Sequence, residues 1–250
     1  MLRKLLFCIM ICGCAAAKAQ ERVTTVGFQL KPIFSARLFG TGPVTINDSS
    51  FAYTIKQPTG FSGGMVIRKG YTKNLSLELG INFIRRNVYI NSTHEGLSRQ
   101  ARMRVIGYEI PVSQLVFVRL SKTIYMNVSA GICVNMFPSD VQTANDVLYA
   151  IGGRRLVFNP SLIANIGFEH RSAKSGFFYL GASLNRPFVP IYDVVADYIQ
   201  NNDVVNTVNT TLSGTYLTID FKYFFHEDPE KRKARSNKAK AGGKVSPQNK

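Results

Sequence analysis

Apolar and polar positions alternate with a period of two along most of this chain. In GTYLTIDFKYFF, residues 214–225, Leu217, Ile219, Phe221, Tyr223 and Phe225 share one parity; Tyr216, Thr218, Asp220, Lys222 and Phe224 take the other. Successive side chains of a strand point to opposite faces, so this stretch reads as a strand with one greasy and one mixed face. The greasy face ends in aromatics, the composition expected where a membrane-spanning strand meets the lipid–water interface.

The same pattern predicts seven more strands. Residues 25–38 place Phe28, Leu30, Pro32, Phe34 and Ala36 against Gln29, Lys31, Ser35 and Arg37; Pro32 lacks an amide donor and predicts a bulge or irregular pairing there. Residues 60–68 and 74–85 form a hairpin whose second strand sets Leu75, Leu77, Leu79, Ile81 and Phe83 against Ser76, Glu78, Gly80 and Asn82. Residues 103–118 and 123–137 form the next, with a second bulge expected at Glu109-Ile110-Pro111. Residues 154–169 and 176–188 form the third. Four polar stretches read as long loops, 39–59, 87–102, 138–153 and 186–213, and alternate with short turns at 69–73, 119–122 and 170–175. The predicted fold class is all-β: an eight-stranded antiparallel up-and-down transmembrane β-barrel, with long loops outside and short turns in the periplasm. Both chain ends then lie in the periplasm. A soluble sandwich or lipocalin-like barrel has the same periodicity. Mid-strand charges at Lys31, Glu78, Asp220 and Lys222, the loop alternation and an export signal favour the membrane.

That signal is residues 1–19: Arg3 and Lys4, an apolar core over residues 5–17, then Ala17-Lys18-Ala19 before Gln20, which fits cleavage after Ala19. A lipobox-like Ile11-Cys12-Gly13-Cys14, with lipidation at Cys14, is the competing reading. Three of the four cysteines lie in this segment; Cys133 alone remains and is expected to pack inside the barrel, without a disulfide framework or a Cys metal site.

Composition sharpens the picture in two ways. No apolar run after residue 20 approaches the ~18 residues of a helical span, so a membrane protein of this kind must cross with strands. The formal charge of +16 is concentrated partly in residues 226–250, which hold eight Lys/Arg against three Asp/Glu. With no helix-turn-helix, zinc-finger or RNA-binding aromatic motif beside the charge, no nucleic-acid partner is expected. The domains are therefore a signal peptide at 1–19, a barrel domain at 20–225 and a disordered basic periplasmic tail at 226–250.

GFSGGMVI and NLSLELGINFI within residues 60–84, YEIPV at 108–112 and the closing GTYLTIDFKYFF together resemble the PorT-like outer-membrane β-barrel domain family, over roughly residues 20–225. The resemblance implies an outer-membrane barrel and a closing strand that serves as the recognition signal for insertion. Founding members of that family are linked to protein secretion and gliding machinery.

An eight-stranded barrel is just wide enough inside for its own side chains. The inward set is expected to include Lys31, Arg37, Arg68, Glu78, Glu109, Glu169, Asp220 and Lys222, with Gln29, Asn82, Asn127 and Asn165. Their charges should pair across the lumen as a structural plug, because an unpaired buried charge is costly. No catalytic, metal or cofactor site is expected. His94 falls in an outer loop, and His170 and His226 at the opposite end. No Walker, Rossmann or zinc spacing occurs, and the acids Asp48, Asp140, Asp146, Asp193, Asp197 and Asp203, with Asn47, lack the spacing of a Ca²⁺ loop. The expected function is non-enzymatic: a structural or surface-interaction protein acting through its four loops. Transport is the alternative, as a narrow channel or an accessory of a secretion or gliding machinery. Expected partners are outer-membrane lipid, the barrel assembly machinery during insertion, and cell-wall polymer or an envelope protein at the basic tail.

Overall fold

The computed structural model describes residues 24–34, 42–48, 50–57, 59–172, 175–201 and 203–225. Arg37, the signal peptide and the basic tail lie outside the described residues. Fourteen strands follow in order: β1 (Thr24–Phe34), β2 (Val44–Asp48), β3 (Phe51–Lys56), β4 (Thr59–Gly70), β5 (Leu75–His94), β6 (Leu97–Arg119), β7 (Ile124–Met136), β8 (Val141–Ala144), β9 (Leu148–Arg154), β10 (Phe158–Ser172), β11 (Gly176–Pro187), β12 (Tyr192–Gln200), β13 (Asp203–Leu212) and β14 (Tyr216–Phe224).

All described pairings are antiparallel. The larger sheet runs β2-β3-β5-β4-β1-β14-β11-β10-β7-β6, with an additional pairing between β5 and β6. Each of β1, β4, β5, β6, β7, β10, β11 and β14 thus has a hydrogen-bonded neighbour on both sides. We call these eight strands the body. The start of β1 and the end of β14 lie together, Gly27 opposite Phe224. Two of the short turns at that end are built alike. Thr72 Oγ1 accepts from the Leu75 amide at 3.0 Å, and Ser121 Oγ from the Ile124 amide at 3.1 Å, the local side-chain bonding that makes these residues turn formers.

At the opposite end the four expected loops are corrected to strands. Residues 39–59 contain β2 and β3; 87–102 are the continuation of β5 and β6; 138–153 contain β8 and β9; and 186–213 contain β12 and β13. Strands β5 and β6 run on to a two-residue turn at Glu95 and Gly96, with φ of 47° and 78°, the left-handed pair that matches hairpin twist. A second sheet, β13-β12-β9-β8, packs over these extensions. Between them lies an apolar core that includes Tyr53, Val88, Ile90, Met103, Leu148 and Tyr192, all within 1% of complete burial. This lobe packs in the ordinary globular way, around an apolar interior.

The body is the reverse. Phe28, Leu30, Ile81, Ile166, Phe168 and Leu180 are each more than half exposed, while their strand neighbours Gln29, Lys31, Asn82, Asn165, Glu169 and Tyr179 are buried. The bulge expected at Glu109-Ile110-Pro111 is also corrected, and at Pro32 the expected bulge or irregular pairing takes the second form. The β1–β4 register runs unbroken through Pro32, and β6–β7 runs unbroken through Glu109-Ile110-Pro111. Each proline instead falls where the register with its other neighbour is interrupted, β14 for Pro32 and β5 for Pro111. A missing donor is absorbed as a gap in one ladder, and side-chain parity is preserved.

Candidate functional site: the buried polar face of the body

The inward positions of the body strands bring two ionic groups together. Near the turn end, Arg68 of β4 lies between Glu78 of β5 and Glu169 of β10. Its guanidinium pairs with Glu78 at 3.0 Å and directly with Glu169. Lys222 of β14 pairs with the other oxygen of Glu78, and Arg171 with the other oxygen of Glu169 at 2.6 Å. Two carboxylates are therefore clamped by three cations. Rings cover the cations: Arg68 lies 3.9 Å from the centroid of Phe224, and Arg171 lies 4.1 Å from that of Tyr125.

The second group centres on Asp220 of β14. It accepts from Asn165 at 2.9 Å and from Ser183 and Thr218, and Lys31 Nζ stands 3.6 Å away. Tyr179 donates to Asn165 at 2.5 Å. Its ring lies over Gly167 and Gly181, where a Cβ at Gly181 would fall 2.1 Å from the phenol oxygen. The glycines make room for the ring, an aromatic covering of bare backbone.

Farther along, Glu109 of β6 accepts from Tyr216 and, at 3.2 Å, from Ser62. The polar interior ends at Arg86 of β5, 3% exposed and donating to the Gly214 carbonyl at 2.7 Å. Its guanidinium lies 5.0 Å from the Tyr216 ring centroid and 5.9 Å from that of Phe137, a member of the lobe core. Above this residue the interior is mostly apolar, Ser92 being an exception.

Seven of the eight expected inward charges are thus placed and buried, Arg37 being outside the described residues. Arg86, Arg171, Tyr179 and Tyr216 were not singled out from sequence. Arg86 could have been, since Glu78, Asn82 and Arg86 recur every four residues on one parity once β5 is allowed to continue past 85. Cys133 is buried, its thiol 3.7 Å from Asn135 Oδ1. His94 stacks on Phe51 with centroids 3.9 Å apart, in the lobe, whereas His170 lies at the turn end of β10 and His226 outside the described residues. Most of the lobe acids have basic or polar partners: Asp140 with Arg154, Asp193 with Arg155, Asp197 with Thr207, Asp48 with Asn206. Among the described residues no three His, Cys, Asp or Glu gather as a metal site.

No family model matches the sequence, and no curated protein does. Among solved structures, the outer membrane protein OprG from Pseudomonas aeruginosa superposes over 84% of this chain and 98% of its own, with a TM-score of 0.53 and 11% identity. The fold is that of an outer-membrane β-barrel. The translocator domain of autotransporter NalP from Neisseria meningitidis also aligns, over 89% of this chain and 95% of its own at 10% identity, with a TM-score of only 0.32. That likeness is too loose to add to the argument. The inversion of the body is the pattern of that fold, in which lipid rewards apolar side chains outside and leaves the charged ones to satisfy one another within.

Proposed function

We propose that this protein resides in the outer membrane as a closed eight-stranded barrel whose lumen is plugged by its own ion pairs, and that it acts without catalysis through the folded lobe. The observation that carries this reading is the set of clamped carboxylates Glu78, Glu169 and Asp220 behind an exposed apolar band. Nine residues of β5 from Leu75 to Phe83 alternate across that band, the length of a tilted membrane-spanning strand. The β5–β6 pairing, which brings the last strand of the order back to β5, supports closure. The lobe then stands outside the cell, and both chain ends, with the basic tail, face the periplasm. In place of loops, the protein presents strands and hairpin tips to partners. The PorT-like resemblance would make that lobe, or the tail, an assembly surface of a secretion or gliding machinery.

Recordings of the full-length protein in planar bilayers test the plug. No steady conductance above bare membrane is expected; a stable open level would overturn it. Recovery in the outer-membrane fraction, with a heat-modifiable gel mobility, tests the barrel itself.

A further inference from the structure

The outward face of β3, β5 and β6 changes character row by row where the body meets the lobe. Phe83 stands opposite Tyr108, their rings 6.0 Å apart, with Phe61 beside Phe83 at 5.9 Å. The next row pairs Arg85 with Ile106, the next Asn87 with Arg104, and the one beyond sets Tyr89 between Arg102 and Lys56. Lys56, Arg102 and Arg104 are exposed and Arg85 half-buried. No acidic side chain occupies an outward position of these rows. Among the described residues none of the four cations forms an ion pair; Arg102 bonds only the neutral Asn87 amide, at 3.1 Å. On the opposing sheet of the same lobe the arginines are compensated, Arg154 by Asp140 and Arg155 by Asp193 at 2.8 Å. These four cations thus form one contiguous group without acidic partners, directly above the aromatic row.

We infer that this face is a docking surface for a phosphorylated glycolipid of the surrounding outer leaflet, with acyl chains below Phe83 and Tyr108 and phosphates on Arg85, Arg104, Arg102 and Lys56. An aromatic belt marks the headgroup level, and cations just beyond it attract anionic lipid. The depth of the patch selects the class of lipid. From Phe83 to Tyr89 is about 20 Å along the strand, or about 15 Å along the normal at a typical barrel tilt. A phospholipid headgroup layer is only about 5–7 Å deep in each leaflet. A lipid that carries phosphates on a stack of sugars spans the full height, and Asn87, Tyr89 and Gln100 supply hydrogen-bonding groups suited to sugar hydroxyls.

The inference rests on the membrane reading, and its test separates the two. Full-length protein in detergent is titrated with rough lipopolysaccharide, phosphatidylglycerol or phosphatidylcholine, and bound lipid is counted by native mass spectrometry. Lipopolysaccharide should bind most tightly, resist competition by excess inorganic phosphate, and lose about tenfold or more in affinity in the K56Q/R85Q/R102Q/R104Q variant. The K69Q/K73Q/K122Q variant, which neutralises the turn end, should bind like the wild type. Unchanged lipopolysaccharide affinity in the fourfold variant would overturn the inference. So would equal binding of phosphatidylglycerol, or full displacement by phosphate. Failure of the wild type to insert into vesicles or show heat-modifiable mobility would instead remove the membrane reading, and this surface with it.

Discussion

Body and lobe are continuous through the same two strands, yet they are built by opposite rules. In β5 the outward residues from Leu75 to Phe83 are apolar and the inward ones polar; from Ile84 onward the inward Ile84, Val88 and Ile90 are apolar and the outward Arg85, Asn87 and Asn91 polar. The β5–β6 register does not slip at the change. What flips is the solvent. On the proposed membrane placement, the outside below Phe83 is lipid and charge must be hidden and paired, while above it the outside is water and apolar groups must be hidden instead. One backbone thus serves two media, and Arg86 stands where they meet.

The comparison can be broken in several places. Arg68→Ala should have the largest effect, since it strands Glu78 and Glu169 without their shared cation; the loss is about 3–5 kcal/mol. The measurement is the urea midpoint of the reconstituted protein, followed by heat-modifiable mobility, and an unchanged midpoint would show that the ion pairs are not essential. Leu148→Ala should cost about 3 kcal/mol through a cavity in the lobe core. Its signature differs: protease sensitivity and hydrogen exchange rise in β8, β9, β12 and β13 while the body keeps its mobility shift. Ile219→Lys, outward in the apolar band, should cost about 2–4 kcal/mol, whereas Asn209→Lys, outward in the lobe, should stay within about 0.5 kcal/mol. Equal costs at the two positions would erase the distinction between media.

The smallest effect concerns pH. Tyr192 is wholly buried in the lobe, and burial pushes its phenol up to about 12 from the usual 10. The raised value means that the folded lobe favours the neutral phenol. Its contribution is complete below pH 10 and is lost as pH rises through 12. Circular dichroism should show the lobe loosening in that window, and Tyr192→Phe should flatten the response.

The body strands were legible because the apolar parity of residues such as Leu75–Phe83 and Leu217–Phe225 is unbroken, and because charges at Glu78, Asp220 and Lys222 fall on the opposite parity. The lobe was not legible for the same reason. A reversal of hydrophobic phase at Phe83/Ile84 looks like the end of a strand when the medium outside is assumed constant. The Asn, Ser and Thr residues beyond it then resemble loop composition, as in Asn91-Ser92-Thr93. In the structure Ser92 is buried on the inward side while Asn91 bonds Gln100 across the hairpin at 2.8 Å. The prolines were legible in part. Pro32 pointed to a bulge or irregular pairing and Pro111 to a bulge; the sheet accommodates each by omitting ladder bonds on one side only.

That omission has a kinetic consequence at Pro32. The ladder it interrupts joins β1 to β14, the first strand of the sheet to the last. This contact has the greatest sequence separation of any described strand pair, so it forms late, after the local hairpins. The seam is therefore both the last to zip and the one with fewer rungs, since its register skips Lys31 and Pro32. Lys31 reaches across it to Asp220, a latch between the two ends of the chain where the backbone supplies none.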